Sequence, residues 1–268
     1  MTVTSFVSIK GAPGVTTLAC LVGATWPEGR KVMVAECDPS GGDLAARFQL
    51  SSREGWPALL VAARRSGVDV NIEPHLQQLP GGLDVLVATR GLDVLDASRS
   101  MNALLSSSRP SSDNTWDVLI DLGRLAPDDR ASAVWLEHSD MVVVCSRSDA
   151  ASVVHIRERA PLLLERYPER VSLAIVGGGD HSISEIEQFT GVPVLAVVPF
   201  DPVSAAVAAG ERPCRRRLRR SVLATTAARM ATTLADGSVG SADGELGDPH
   251  ARAAVPASTE HRREEALQ

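Results

Sequence analysis

Short runs of valine, isoleucine and leucine recur along this chain, each followed by a stretch with helical spacing. That alternation restricts the available folds more than any other feature. The runs are 3–9 (VTSFVSI), 31–36 (KVMVAE), 83–88 (LDVLVA), 116–121 (WDVLID), 140–145 (DMVVVC), 171–176 (VSLAIV) and 193–198 (PVLAVV). They are near-continuously apolar rather than alternating, the pattern of strands buried on both faces of a parallel sheet. Helical segments fall between them at about 16–25, 56–66, 91–107, 129–137, 150–166, 182–190 and 202–209. Strands alternating with helices build βαβ units. The expected fold is α/β: a doubly wound, mostly parallel sheet of about seven strands with helices on both faces, in one domain over 1–235.

The last helix of that domain is expected over 215–235, where Leu218, Val222, Thr226, Met230 and Leu234 recur every four residues beside Leu223 and Ala227. From Asp236 onward Gly, Pro, Ser and charges dominate with no apolar periodicity, so 236–268 reads as a disordered tail. Of the 268 residues, 44% are hydrophobic, 22% charged and 3% aromatic, which excludes a collagen-like or disulfide-scaffold chain and leaves the core to aliphatic side chains. No apolar run reaches the roughly 20 residues of a membrane span. The N-terminal segment lacks the basic region of a signal peptide, so a cytoplasmic location is expected. Cys20, Cys37, Cys145 and Cys214 form no CxxC pair, and the six histidines show no HxxxH or HExxH spacing. Neither a zinc site nor a redox dithiol is indicated. A net charge of −6 argues against indiscriminate coating of nucleic acid.

The first strand runs directly into Lys10-Gly11-Ala12-Pro13-Gly14-Val15-Thr16-Thr17 and then an apolar helix. A strand, a glycine-bearing loop and a helix N-terminus together form an anion cradle, and a Thr hydroxyl at the helix start can hold Mg²⁺. The strict pattern G-x-x-x-x-G-K-[ST] is not met: Ile9 stands at its first Gly and Val15 at its Lys. The same residues also read as an ordinary tight βα turn. The second strand ends in Glu36-Cys37-Asp38-Pro39-Ser40-Gly41-Gly42, and the fourth apolar run, WDVLID, ends in Asp121 with Gly123 two residues on. Acids at the carboxyl ends of parallel strands border the ligand crevice of such sheets. Each also reads as a turn aspartate. Near the end, Pro199-Phe200-Asp201-Pro202 follows the run PVLAVV.

These four segments, in this order, resemble the deviant P-loop ATPases of the MinD/ParA family, whose loop reads K-G-G-x-G-K-[ST]-[ST]. Lys10 falls on the family's signature lysine, and Gly11, Gly14, Thr16 and Thr17 match, while Ala12 and Val15 depart. The resemblance covers residues 1 to about 213. It implies ATP and Mg²⁺ as cofactors and an ATP-dependent homodimer in which Lys10 reaches the other subunit's phosphates. It implies that Gly11, Ala12, Gly14, Val15, Thr16 and Thr17 form the phosphate loop and that Pro199 and Asp201 flank the base. Thr16, Asp38 and Asp121 are implied around Mg²⁺, with Lys10 and Asp38 the catalytic pair. The implied role is spatial positioning, as in chromosome partitioning, septum-site selection or pilus-assembly localisation, with any contact to the membrane made through a partner.

Val15 puts hydrolysis in doubt, because valine offers phosphates neither charge nor donor. Two alternatives follow: a scaffold that binds no nucleotide, or a slow ATPase in which an arginine replaces the lysine. Arg124, Arg147 and Arg212 are the candidates for that arginine. Of 27 basic residues only Lys10 and Lys31 are lysines, which singles out Lys10. The arginine cluster between Arg212 and Arg220 reads as a solvated face or as a contact for DNA, an anionic membrane surface or an acidic partner.

Overall fold

The first strand, β1 (Val3–Ser8), is buried along its whole length, and the rest of the sheet is laid out around it. The structure is a computed structural model that describes residues 1–11, 13–66, 70–88, 115–126, 130–179, 181–213 and 218–237. Seven further strands follow: β2 (Lys31–Glu36), β3 (Gln77–Gln78), β4 (Asp84–Leu86), β5 (Trp116–Arg124), β6 (Met141–Ser146), β7 (Val171–Val176) and β8 (Val194–Val198). Their order across the sheet is β3-β4-β2-β5-β1-β6-β7-β8. All pairings are parallel except β3 with β4.

The sheet thus has eight strands where the sequence predicts about seven. β3 is two residues long and polar, so it carries no apolar run to announce it. It is held by backbone pairing to β4 across the turn at Gly81 and Gly82, both at positive φ.

Two layers of helix cover the sheet. On one face lie α1 (Val15–Ala24), α2 (Leu44–Phe48), α7 (Pro202–Ala208) and α8 (Val222–Ala235). Their core includes Phe6, Leu18, Val34, Leu119, Val143 and Met230. On the other lie α3 (Trp56–Ser66), α4 (Arg130–Glu137), α5 (Ala150–Arg166) and α6 (Ile183–Thr190), packed on Val7, Met33, Ile120 and Val144. Strand residues alternate between the two cores because successive Cβ atoms point to opposite faces. Both cores are apolar, which is why the strands read as continuous runs.

The last helix differs from expectation. It begins at Val222, capped by the Ser221 hydroxyl, which accepts from the Ala224 amide at 3.1 Å. The arginines therefore precede the helix in the chain instead of opening it; residues 214–217 lie outside the described residues. Its buried stripe is Leu223, Ala227, Met230 and Leu234, whereas Val222 is exposed. A strict four-residue repeat drifts off one face of a helix with 3.6 residues per turn. The predicted helix 91–107 and all but two residues of the predicted tail 236–268 lie outside the described residues. Among the described residues no helix is long and apolar enough to cross a membrane.

Candidate functional site

Two glycines shape the loop between β1 and α1. Gly11 (φ 74°) and Gly14 (φ 92°) hold left-handed torsions, and a Cβ at either would meet no atom within 4 Å. Torsion, not space, demands glycine there. Gly14 is the N-cap of α1, which has no side-chain cap and no acid in its first turn. Among the described residues no side chain caps the first-turn amides, which suits them to an anion, with the helix dipole behind them. Val15 turns the other way. It is 5% exposed and packs in the core with Phe6 and Leu18, so it offers the loop only its backbone amide. Ala12 lies outside the described residues.

The acids at the strand ends converge below this loop. Glu36 and Asp121 are register partners on β2 and β5 and are 1% and 2% exposed. Asp121 accepts hydrogen bonds from the Thr16 side chain and from the Gly123 amide, the latter at 3.0 Å. Burial pushes its carboxyl up to about 6, the nearby Glu36 and Asp38 charges add to that, and the two hydrogen bonds oppose it. Asp38 accepts from the Ser40 amide at 2.7 Å. Its carboxylate lies so close to Gly123 (φ 59°) that a Cβ there would collide with it.

Glu36 does not border the crevice as the sequence suggests. Its carboxylate is used up by backbone amides: Asp43 at 2.7 Å and Leu44 at 2.8 Å on Oε1, and Ala88 at 3.1 Å on Oε2. Burial raises its pKa against those three donors. Glu36 anchors the loop that carries Asp38, a role for which the sequence holds no signal.

Among the described residues no three His, Cys, Asp or Glu side chains are grouped to hold a metal ion. Mg²⁺ does not need such a group, because it keeps most of its ligands as water and phosphate oxygens. Thr16 fits a cation of this kind. Its hydroxyl proton is directed to Asp121, which leaves the oxygen lone pairs open.

Lys10 is exposed, and its Nζ lies 2.6 Å from His155 Nε2 on α5. The other ring nitrogen of His155 is 3.4 Å from Glu158. Next to the loop is a cleft of about 220 Å³ whose walls include Gly14, Thr17, Arg147, Pro199, Phe200 and Asp201. The loop and the Pro199–Asp201 segment, predicted separately from sequence, line one cavity. Asp201 caps α7, accepting from the Ser204 amide at 2.9 Å. Cys20, Cys37 and Cys145 are buried, and burial raises their thiol pKa values, so they stay neutral and inert.

No protein-family model matches the chain, and no curated protein sequence does. Solved structures do match in fold. A ParA family ATPase from Chlorobium tepidum superposes with a TM-score of 0.68 at 17% identity, covering 86% of this chain and 97% of that one. The MinC:MinD cell division protein complex of Aquifex aeolicus matches with a TM-score of 0.68 at 16% identity, over 90% and 98% of the two chains. The septum site-determining protein MinD of Pyrococcus horikoshii, complexed with Mg-ADP, gives 0.63 at 17%, over 86% and 94%. The chain therefore has the α/β fold of the MinD/ParA P-loop NTPases.

Proposed function

We propose that this protein binds ATP with Mg²⁺ in the cleft between α1 and the β8–α7 segment, and uses occupancy as a switch for self-association. The observation that carries the reading is the one cavity lined both by Gly14 and Thr17 of the loop and by Pro199–Asp201. Beside it, Thr16 is hydrogen-bonded to Asp121. The Mg-ADP held by the Pyrococcus MinD of the same fold supports it. Gly11, Ala12, Gly14, Val15, Thr16 and Thr17 contribute the phosphate loop, Val15 through its backbone alone. Thr16 holds Mg²⁺ and Asp121 orients Thr16, while Asp38 orients water. Lys10 contacts phosphate across the dimer, which requires it to leave His155. Hydrolysis is slow, because a valine packed in the core cannot neutralise charge building on a transferring phosphoryl group. The role is nucleotide-dependent positioning of the partitioning or septum-site kind, with a protein partner.

Equilibrium titration with Mg·ATP tests this. Saturable binding, tightened about 10-fold or more by Val15→Lys, is expected. No binding at millimolar Mg·ATP would overturn the reading and leave an interaction scaffold on this fold.

A further inference from the structure

A nucleoside triphosphate brings several negative charges into a site whose own loop contributes no cation. Val15 is buried behind the loop. Lys10 is turned to His155 and is not part of the cleft wall. Three arginines near the ends of strands or helices could compensate, and the fold separates them. Arg212 lines a different cleft of about 370 Å³, with Arg47, Phe48 and Leu79. Arg124 ends β5 opposite Ser8 and lines neither cleft. Arg147 lines the same cleft as Gly14 and Thr17.

Topology puts it there. β6 is the parallel neighbour of β1, with Cys145 in register with Ser8. The residues that follow β6 therefore emerge beside the loop that follows β1. Arg147 stands between the end of β6 at Ser146 and Asp149, the N-cap of α5. Among the described residues it is the one cation lining this cleft, and no carboxylate lies within ion-pair distance of it. The one acid in the wall, Asp201, is committed to capping α7. The Arg147 charge is felt by Asp149 two residues on, which is itself engaged in capping α5. An exposed guanidinium on the wall of a cleft beside the loop has the fork geometry that phosphate oxygens match.

We propose that Arg147 supplies the positive charge for the phosphates of a bound nucleotide, from the β6 side of the cleft, in place of the lysine that Val15 displaces. This rests on the nucleotide-binding reading and assigns the charge within it. The neutralising group thus comes from the segment after β6, next to the loop, instead of from the loop itself, so ground-state binding is restored without restoring the loop lysine.

Mg·ATP and adenosine separate charge from shape. Arg147→Ala should weaken Mg·ATP about 10- to 100-fold while leaving adenosine affinity unchanged. Arg147→Lys should stay within a few-fold of the parent, and Val15→Lys should restore Mg·ATP binding to Arg147→Ala. Wild-type binding of Mg·ATP that Arg147→Ala leaves intact would overturn this assignment and spare the wider reading. Equal losses for Mg·ATP and adenosine would make Arg147 a wall residue and overturn the charge role. A wild type that binds neither probe would overturn both.

Discussion

Asp117 and Asp121 sit four residues apart on β5, on the same face and almost equally buried, at 3% and 2% exposure. Their surroundings are opposite. Asp117, at the far end of the sheet, accepts both arms of Arg30 at 2.6 and 2.7 Å, the Trp26 indole at 2.8 Å and the Thr2 amide at 2.8 Å. Burial alone would raise its pKa, but these bonds outweigh it and hold the carboxyl below its ordinary value. Among the described residues Asp121 has two donors and no cation partner, with two further acids nearby, and burial pushes it up to about 6. One end of the strand is compensated and structural. The other carries a charge that no cation among the described residues offsets.

Removing Asp117 should give the largest effect. Asp117→Ala strands Arg30 and two further donors, and a loss of about 3 kcal/mol is expected in urea unfolding at neutral pH. That lies at the low end for a broken ion pair, since the Arg30 side chain is 36% exposed. A loss below about 1 kcal/mol would remove the contrast.

Asp121→Asn should act in the opposite direction on the nucleotide-free protein. A carboxyl titrating at about 6 instead of near 4 holds back up to about 3 kcal/mol of stability once ionised. The folded pKa is raised, so stability is fullest below pH 4 and declines as pH rises to about 6. Asp121→Asn should therefore be as stable as the parent or more so at pH 8, with the difference closing between pH 6 and 4, while Mg·ATP binding is weakened. Asp117 has a depressed folded pKa, so its contribution is full above pH 4 and is lost only as pH falls below that. Matching pH profiles for the two sites would break the comparison.

Gly123→Ala should give the smallest effect, about 1 to 2 kcal/mol, from a left-handed torsion and a collision with Asp38. In an Asp38→Ala background the collision term disappears and the cost should shrink. An unchanged cost would mean that the torsion alone fixes this glycine.

The strands were legible because their residues must be apolar toward two cores at once. β2 and β7 have the bounds that the sequence predicts. β3 and α2 were not, since neither is long enough to show a period. In the site, Gly11, Gly14, Thr16 and Asp121 were named from the resemblance, and the structure gives both glycines left-handed torsions and joins Thr16 to Asp121 by a hydrogen bond. Glu36 was expected at the crevice and is instead buried on backbone amides, because its donors come from Asp43, Leu44 and Ala88. The last of these is 52 residues away.

By itself, the sequence determined the strand–helix order, the glycine loop and the valine within it, since local torsion and two-sided burial leave their mark on neighbouring residues. Only the tertiary structure decided which cations face the cleft. It turned Lys10 to His155, put Arg212 on another cavity and left Arg147 beside Gly14 and Thr17. Strand order across the sheet brings β6 next to β1, and that adjacency is set by packing between segments more than a hundred residues apart.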